Sequence, residues 1–127
     1  MRPDYIRIVE VGPRDGLQNE AQPLSPQERV ELIQQLAAAG LKDIEAGSFV
    51  SPRWVPQMAG SDEVLESLSG RVDLRLPVLV PNKTGYENAR AAGAREIAIF
   101  GAASETFSQR NINCSIDESL SRFAEVC

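Results

Sequence analysis

Histidine is missing from this 127-residue chain. Every mechanism or metal site that needs imidazole is therefore excluded for these residues taken alone. Cysteine is scarce. Cys114 and Cys127, the second being the last residue, do not make a disulfide framework, and a reducing, cytoplasmic compartment is the simplest setting. No apolar run approaches the roughly 18 residues of a spanning helix. Met1-Arg2-Pro3-Asp4-Tyr5 leads straight into a strand with no apolar targeting segment, so neither membrane insertion nor secretion is expected. Excess positive charge is also absent: a net charge of -5 argues against nucleic acid and anionic membranes as partners. No Gly-x-Gly-x-x-Gly follows the first strand, which leaves a dinucleotide-binding sheet without support.

What is present is the composition of an ordinary globular domain, 43% hydrophobic and 24% charged. A strand is predicted over residues 6–11, broken at Gly12-Pro13, where proline removes a donor and glycine frees the backbone. Ser25-Pro26-Gln27-Glu28 is a capping box, and Val30, Ile33, Leu36 and Ala37 follow at helical spacing up to a terminating Gly40. A short strand is predicted over 43–46. An apolar loop over 47–58 follows, its Phe49 and Trp54 read as packing groups. A helix over 61–68 turns Val64, Leu65 and Leu68 inward, and a strand lies within 72–80. Thr84-Gly85-Tyr86-Glu87 reads as a second capping box, opening a helix to Ala92. Then come a strand over 96–100, a loop over 101–113, and a third capped helix from Ser115 that carries Ile116, Leu120, Phe123 and Ala124.

The chain echoes itself. Ala38-Ala39-Gly40-Leu41-Lys42-Asp43-Ile44 and Ala91-Ala92-Gly93-Ala94-Arg95-Glu96-Ile97 agree in type at every position but Leu41/Ala94. Strand and helix therefore alternate four times, which implies a parallel sheet with crossover helices. Polar loops after each strand favour the closed TIM (β/α)8 barrel, whose sites lie on that face. Eight units need about 250 residues. The expected fold is thus α/β, the first four β/α units of a parallel barrel. Residues 1–127 are read as the amino-terminal part of one catalytic domain, truncated after the fourth helix.

In such a barrel the strand tips share one rim. Arg14 and Asp15 follow strand one and Glu45 ends strand two; Asn82 follows strand three, and Ser104 and Glu105 follow strand four. Asp15 and Glu45 offer oxygen to a hard cation such as Mg²⁺ or Mn²⁺, and Arg14 can hold a carboxylate or stabilise an oxyanion. The plainer alternative is that Arg14 and Glu45 merely staple adjacent strand ends. Glu10 either orients Arg14 or occupies an exposed edge; Ser48 either contacts substrate or forms a turn; Arg110 and Asn111 either meet an anionic ligand or are solvated. Cys114 is read as an inert buried thiol.

Val9-Glu10-Val11-Gly12-Pro13-Arg14-Asp15-Gly16-Leu17-Gln18-Asn19-Glu20 resembles the strand-one signature of the 3-hydroxy-3-methylglutaryl-CoA lyases. So do Ser48-Phe49-Val50-Ser51-Pro52-Arg53-Trp54-Val55-Pro56-Gln57-Met58, Phe100-Gly101-Ala102-Ala103-Ser104-Glu105 and Asn111-Ile112-Asn113-Cys114-Ser115-Ile116. Arg14-Asp15-Gly16 alone is shared with sister acetyl-CoA-condensing synthases; the Trp54 loop and the Asn111–Cys114 segment look specific to the lyases. The resemblance implies metal-dependent cleavage of hydroxymethylglutaryl-CoA to acetyl-CoA and acetoacetate, as in leucine breakdown. It implies Asp15 as a metal ligand, Arg14 as substrate-binding and catalytic, and Glu45 as a catalytic active-site carboxylate near the metal. Gln18 and Ser48 line the site, and Asn111 belongs to the acyl-CoA contact. The expected partners are an acyl-CoA substrate and, in the full-length protein, further copies of the same chain. The family's histidine pair, a ligand asparagine and a loop cysteine have no counterpart here, so the chain alone is expected to be inactive and a poor metal binder; a half barrel needing a partner is the remaining alternative. Two open sheet edges and an uncovered inner face predict self-association. Light scattering on the purified chain should report species larger than one chain; a monodisperse monomer with cooperative unfolding would contradict this.

Overall fold

Helix α1 (Pro26–Ala38) begins where its capping chemistry directs. In the computed structural model, which describes residues 2–127, the Ser25 hydroxyl accepts from Glu28 N–H at 3.2 Å, and the Glu28 carboxylate takes the Ser25 N–H at 2.8 Å. The backbone N–H of Ser25, then its hydroxyl, hold the Glu28 carboxyl below its usual range. The helix buries Ile33 and Ala37, with Val30 and Leu36 packed at the margin, as the periodicity predicts. Gly40 ends it at φ +104°, and Leu41 N–H closes back on Leu36 C=O at 3.2 Å. The sequence echo is a structural one: Gly93 has φ +86°, and Ala94 N–H reaches Ala89 C=O at 2.9 Å. Both sites use a left-handed glycine to reverse the chain into the next strand.

The strands are parallel and shorter than predicted. β1 (Val9–Glu10) pairs with β2 (Asp43–Ile44), Val9 opposite Asp43. β3 (Gly47–Ser48) continues the same extended stretch and pairs with β4 (Val78–Leu79), which pairs with β5 (Ile97–Ala98). Ile44 N–H to Arg75 C=O and Ala46 N–H to Pro77 C=O, both 2.9 Å, join the two sheets into one array. The crossovers are α1, α2 (Ser61–Ser67) and α3 (Lys83–Ala91), so the strand–helix alternation holds. Val64, Leu68, Val78, Val80 and Ala89 fill the space between helices and sheet. Ile6, Ile8 and Ile99, flanking the outer strands, are exposed.

Besides the strand bounds, and β3 opening the stretch 47–58 predicted as loop, four expectations are corrected. The cap of α3 is Asn82, whose Oδ1 accepts from Gly85 N–H at 2.9 Å, not Thr84. The stretch 101–113 is not all loop: α4 (Glu105–Ile112) starts under the Ser104 hydroxyl, which accepts from Phe107 N–H, and stops at Asn113 with φ 53°. Trp54 is 82% exposed rather than packed, because the two-proline loop lifts it off the core; Phe49 does pack. Leu120 is also exposed, since α5 (Ile116–Ala124) turns Phe123 inward to meet Phe100 edge-on at 5.7 Å.

At the starting ends of the strands, charge alternates. Arg75 reaches Glu96 through two N–H groups at 3.2 and 3.3 Å and approaches Asp43 at 3.6 Å. Arg7 lies 3.5 Å from Asp43 and 3.9 Å from Glu96. The hydrogen bonds to Glu96 raise the Arg75 guanidinium above its ordinary value. Nearby, Arg71 grips Asp73 with two N–H groups at 2.9 and 3.0 Å and holds its carboxyl down to about 2. Because the folded value lies below the unfolded one, this pair stabilises the fold above about pH 4, and the contribution disappears as pH falls through about 2. A carbon-13 titration should place the Asp73 midpoint near 2; a midpoint at the ordinary carboxylate value would refute the pairing. Asp73→Asn should flatten the acid limb of stability only in that window.

Candidate active site

The loop after β1 is a wide π-helical turn, Gly12–Gly16. Proline at position 13 has no N–H, and the Val11 carbonyl instead accepts from Arg14, Asp15 and Gly16 at 3.1, 2.7 and 3.2 Å. Glu10 braces the turn, taking the Gly12 N–H on Oε1 at 2.7 Å. It thus acts on Arg14 only through the turn that carries it, with no hydrogen bond of its own to that side chain. The turn brings Arg14 over the end of β2, where Glu45 is fixed by its own N–H to Glu10 C=O at 2.8 Å.

Arg14 Nε then donates to Glu45 Oε1 at 2.6 Å, and Nη1 to Asp15 Oδ1 at 3.2 Å. The Arg14 and Glu45 side chains are largely buried, 17% and 9% exposed, whereas Asp15 is 55% exposed. One guanidinium is therefore shared by two carboxylates, and its other N–H groups have no partner among the described residues. Gln18 Oε1, in the helical residues just after the Gly12–Gly16 turn, and Ser48 Oγ, in β3 just past Glu45, are buried without a hydrogen-bond partner among the described residues. Buried polar atoms without a partner are unusual in a folded chain, and each calls for a partner such as a water, an ion or a ligand.

The other rim candidates serve the scaffold. Asn82 and Ser104 cap helices, and Glu105 Oε2 accepts the Ile116 N–H at 3.1 Å. Asn111 is exposed on the last turn of α4, and no hydrogen bond joins it to the Arg14 cluster among the described residues. Arg110 is likewise exposed, and Cys114 is a buried free thiol whose carbonyl takes the Ser108 hydroxyl at 2.7 Å. Arg29 and Ser61 escaped the sequence reading, although a charge at position 29, four residues before buried Ile33, was a visible break in the apolar stripe.

The donors fit a hard divalent cation in kind but not in number. No group of three or more metal-ligating acidic, histidine or cysteine side chains exists among the described residues. Glu45 is engaged by Arg14, and the half-exposed Asp15 is held by Arg14 through Oδ1, which leaves Oδ2 as the one oxygen of that carboxylate without a side-chain partner among the described residues. No step is derived through a metal from these residues.

Residues 5–127 match the HMGL-like family. The chain belongs to that family. It is 63% identical over 121 residues to the hydroxymethylglutaryl-CoA lyase of Pseudomonas mevalonii, an overlap of 95% of this chain and 40% of that protein. The crystal structure of hydroxymethylglutaryl-CoA lyase from Pseudomonas aeruginosa superposes with a TM-score of 0.91 at 56% identity, over 98% of this chain and 41% of that one. An HMG-CoA lyase from Acenitobacter baumannii, solved with coenzyme A and 3-methylmalate, superposes at 0.90 with 35% identity, over 97% and 40%. The chain spans about 40% of the length of the relatives it matches. Its four parallel β/α units are a partial TIM barrel, as the alternation implied. No helix among the described residues is long and apolar enough to cross a membrane.

Arg14→Ala would leave the Glu45 carboxylate buried and unpaired. It should cost about 3 kcal/mol in a urea titration. Arg14→Met with Glu45→Leu should cost clearly less, because both charges leave together. An Arg14→Ala loss below about 0.5 kcal/mol would class the pair with exposed ion pairs.

Proposed function

We propose that this chain is the amino-terminal portion of a single TIM-barrel lyase domain that cleaves 3-hydroxy-3-methylglutaryl-CoA to acetyl-CoA and acetoacetate. The observation that carries the reading is the Arg14 guanidinium held between Glu45 and Asp15 at adjoining strand ends, with donors left over. Carbon–carbon cleavage leaves an enolate on the thioester. A guanidinium fixed by a buried carboxylate lowers the energy of that developing charge without having to reorganise. In this reading Arg14 binds substrate and is catalytic, Glu45 aims it, and Gln18 and Ser48 turn their unpartnered oxygens to the substrate. Asn111 contacts the acyl-CoA from the fourth unit.

The cofactor is Mg²⁺ or Mn²⁺, with Asp15 contributing one oxygen and the remaining ligands lying outside these 127 residues. Bound, it would polarise the substrate's oxygens as a Lewis acid. The partners are an acyl-CoA and further copies of the complete protein, in a compartment where thiols stay reduced.

A coupled assay on the complete protein should show cleavage, and Arg14→Gln should lower kcat by about 10²–10³-fold. Condensation of acetyl-CoA with a 2-oxo acid, without cleavage, would assign the chain to a synthase instead. The 127-residue chain by itself should show neither turnover nor saturable Mg²⁺ binding by calorimetry; tight binding would overturn the assignment of ligands beyond it.

A further inference from the structure

Arg29 is a fully buried cation without a counter-ion among the described residues. Burial pushes its guanidinium below the ordinary arginine value. Packing alone does not call for a charge here, and a buried cation is costly unless its donors are used. What arginine adds is a rigid fork of donors. Nη1 donates to Ala59 C=O at 2.7 Å, and Nη2 to Ser61 Oγ at 3.0 Å.

The Ser61 hydroxyl is saturated. It donates to Met58 C=O at 2.7 Å and accepts from Arg29 and from Ser48 N–H, the latter at 3.2 Å. A serine oxygen has one proton and two lone pairs, so each is used once. With the hydroxyl proton committed to Met58, only the lone pairs remain to face β3. A side chain at residue 47 would collide with this arrangement: a methyl there would lie 2.5 Å from Ser61 Oγ and 3.0 Å from Arg29 Nη2. Gly47 is thus the opening through which α1 and the start of α2 hold the backbone of β3. Ser48 Oγ is left buried and unpartnered three residues beyond Glu45.

We propose that Arg29 is a positioning residue: acting through the Ser61 hydroxyl, its guanidinium fixes the tip of β3 and so sets where Ser48 presents its hydroxyl relative to Glu45. The importance of that placement rests on the lyase reading above; the lock itself does not.

The test is hydrogen–deuterium exchange of the 127-residue chain, resolved to single amides. Ser48 N–H is the reporter, and Ile44 and Ala46, bonded to Arg75 and Pro77 on the same stretch, are the references. Arg29→Met should speed Ser48 exchange by about tenfold, the worth of one hydrogen bond, while the references hold. Ser61→Ala should do the same, and the double variant should add nothing further. Arg29→Lys should recover part of the protection. Ser48 exchange that is unchanged, or that rises in step with Ile44 and Ala46, would overturn the proposal in favour of a purely packing role. If Arg29→Met does not fold, Arg29→Lys and Ser61→Ala decide by the same comparison. These amide readings need no turnover, so the lock and the lyase reading stand or fall separately.

Discussion

Glu45 is held twice. Its N–H donates to Glu10 across the parallel pair, and its carboxylate takes the guanidinium of Arg14. The first bond belongs to the sheet and the second to the candidate site, so the register of β1 on β2 and the geometry of the site are one constraint. A slip of one residue would turn Glu45 to the opposite face and leave Arg14 without its anion. The π-helical turn serves the same end, since three N–H groups on the Val11 carbonyl are what keep Arg14 above that strand end.

The scaffold beneath the site is built by separate means. Apolar contact holds helices to sheet, two left-handed glycines set the return of the chain, and an interior arginine braces the tip of β3 from behind. The open oxygens of Gln18 and Ser48 lie close in sequence to Arg14 and Glu45, Ser48 in β3 itself, whereas the polar groups of Asn82, Ser104 and Glu105 are spent on helix ends. That division explains why a rim rich in polar residues contains so few available for a ligand.

Much of the architecture could be read from residue order. The capping box at Ser25, the helical stripe of Ile33 and Ala37 and the glycines at 40 and 93 are local signals, and local physics decided them. Arg14, Asp15 and Glu45 were legible as strand-end residues because alternation of strand and helix places such positions on one face. The misses have a common cause, which is competition between nearby signals. Asn82 outcompeted Thr84 for the same free amides, and the asparagines around 111–113 looked like loop chemistry although one of them ends a helix. Trp54 and Leu120 are apolar by type, and their exposure depends on what packs over them, which no window of sequence contains. Arg29 illustrates the same limit: its partners come from residues 59 and 61, about thirty positions away.

The alternating charges at the strand starts, Arg7, Asp43, Arg75 and Glu96, carry a consequence for how the sheet is assembled. Neighbours in the native order attract. Exchanging adjacent strands would set arginine beside arginine, or aspartate beside glutamate. The four side chains therefore add a small electrostatic preference for the native strand order to what the core supplies.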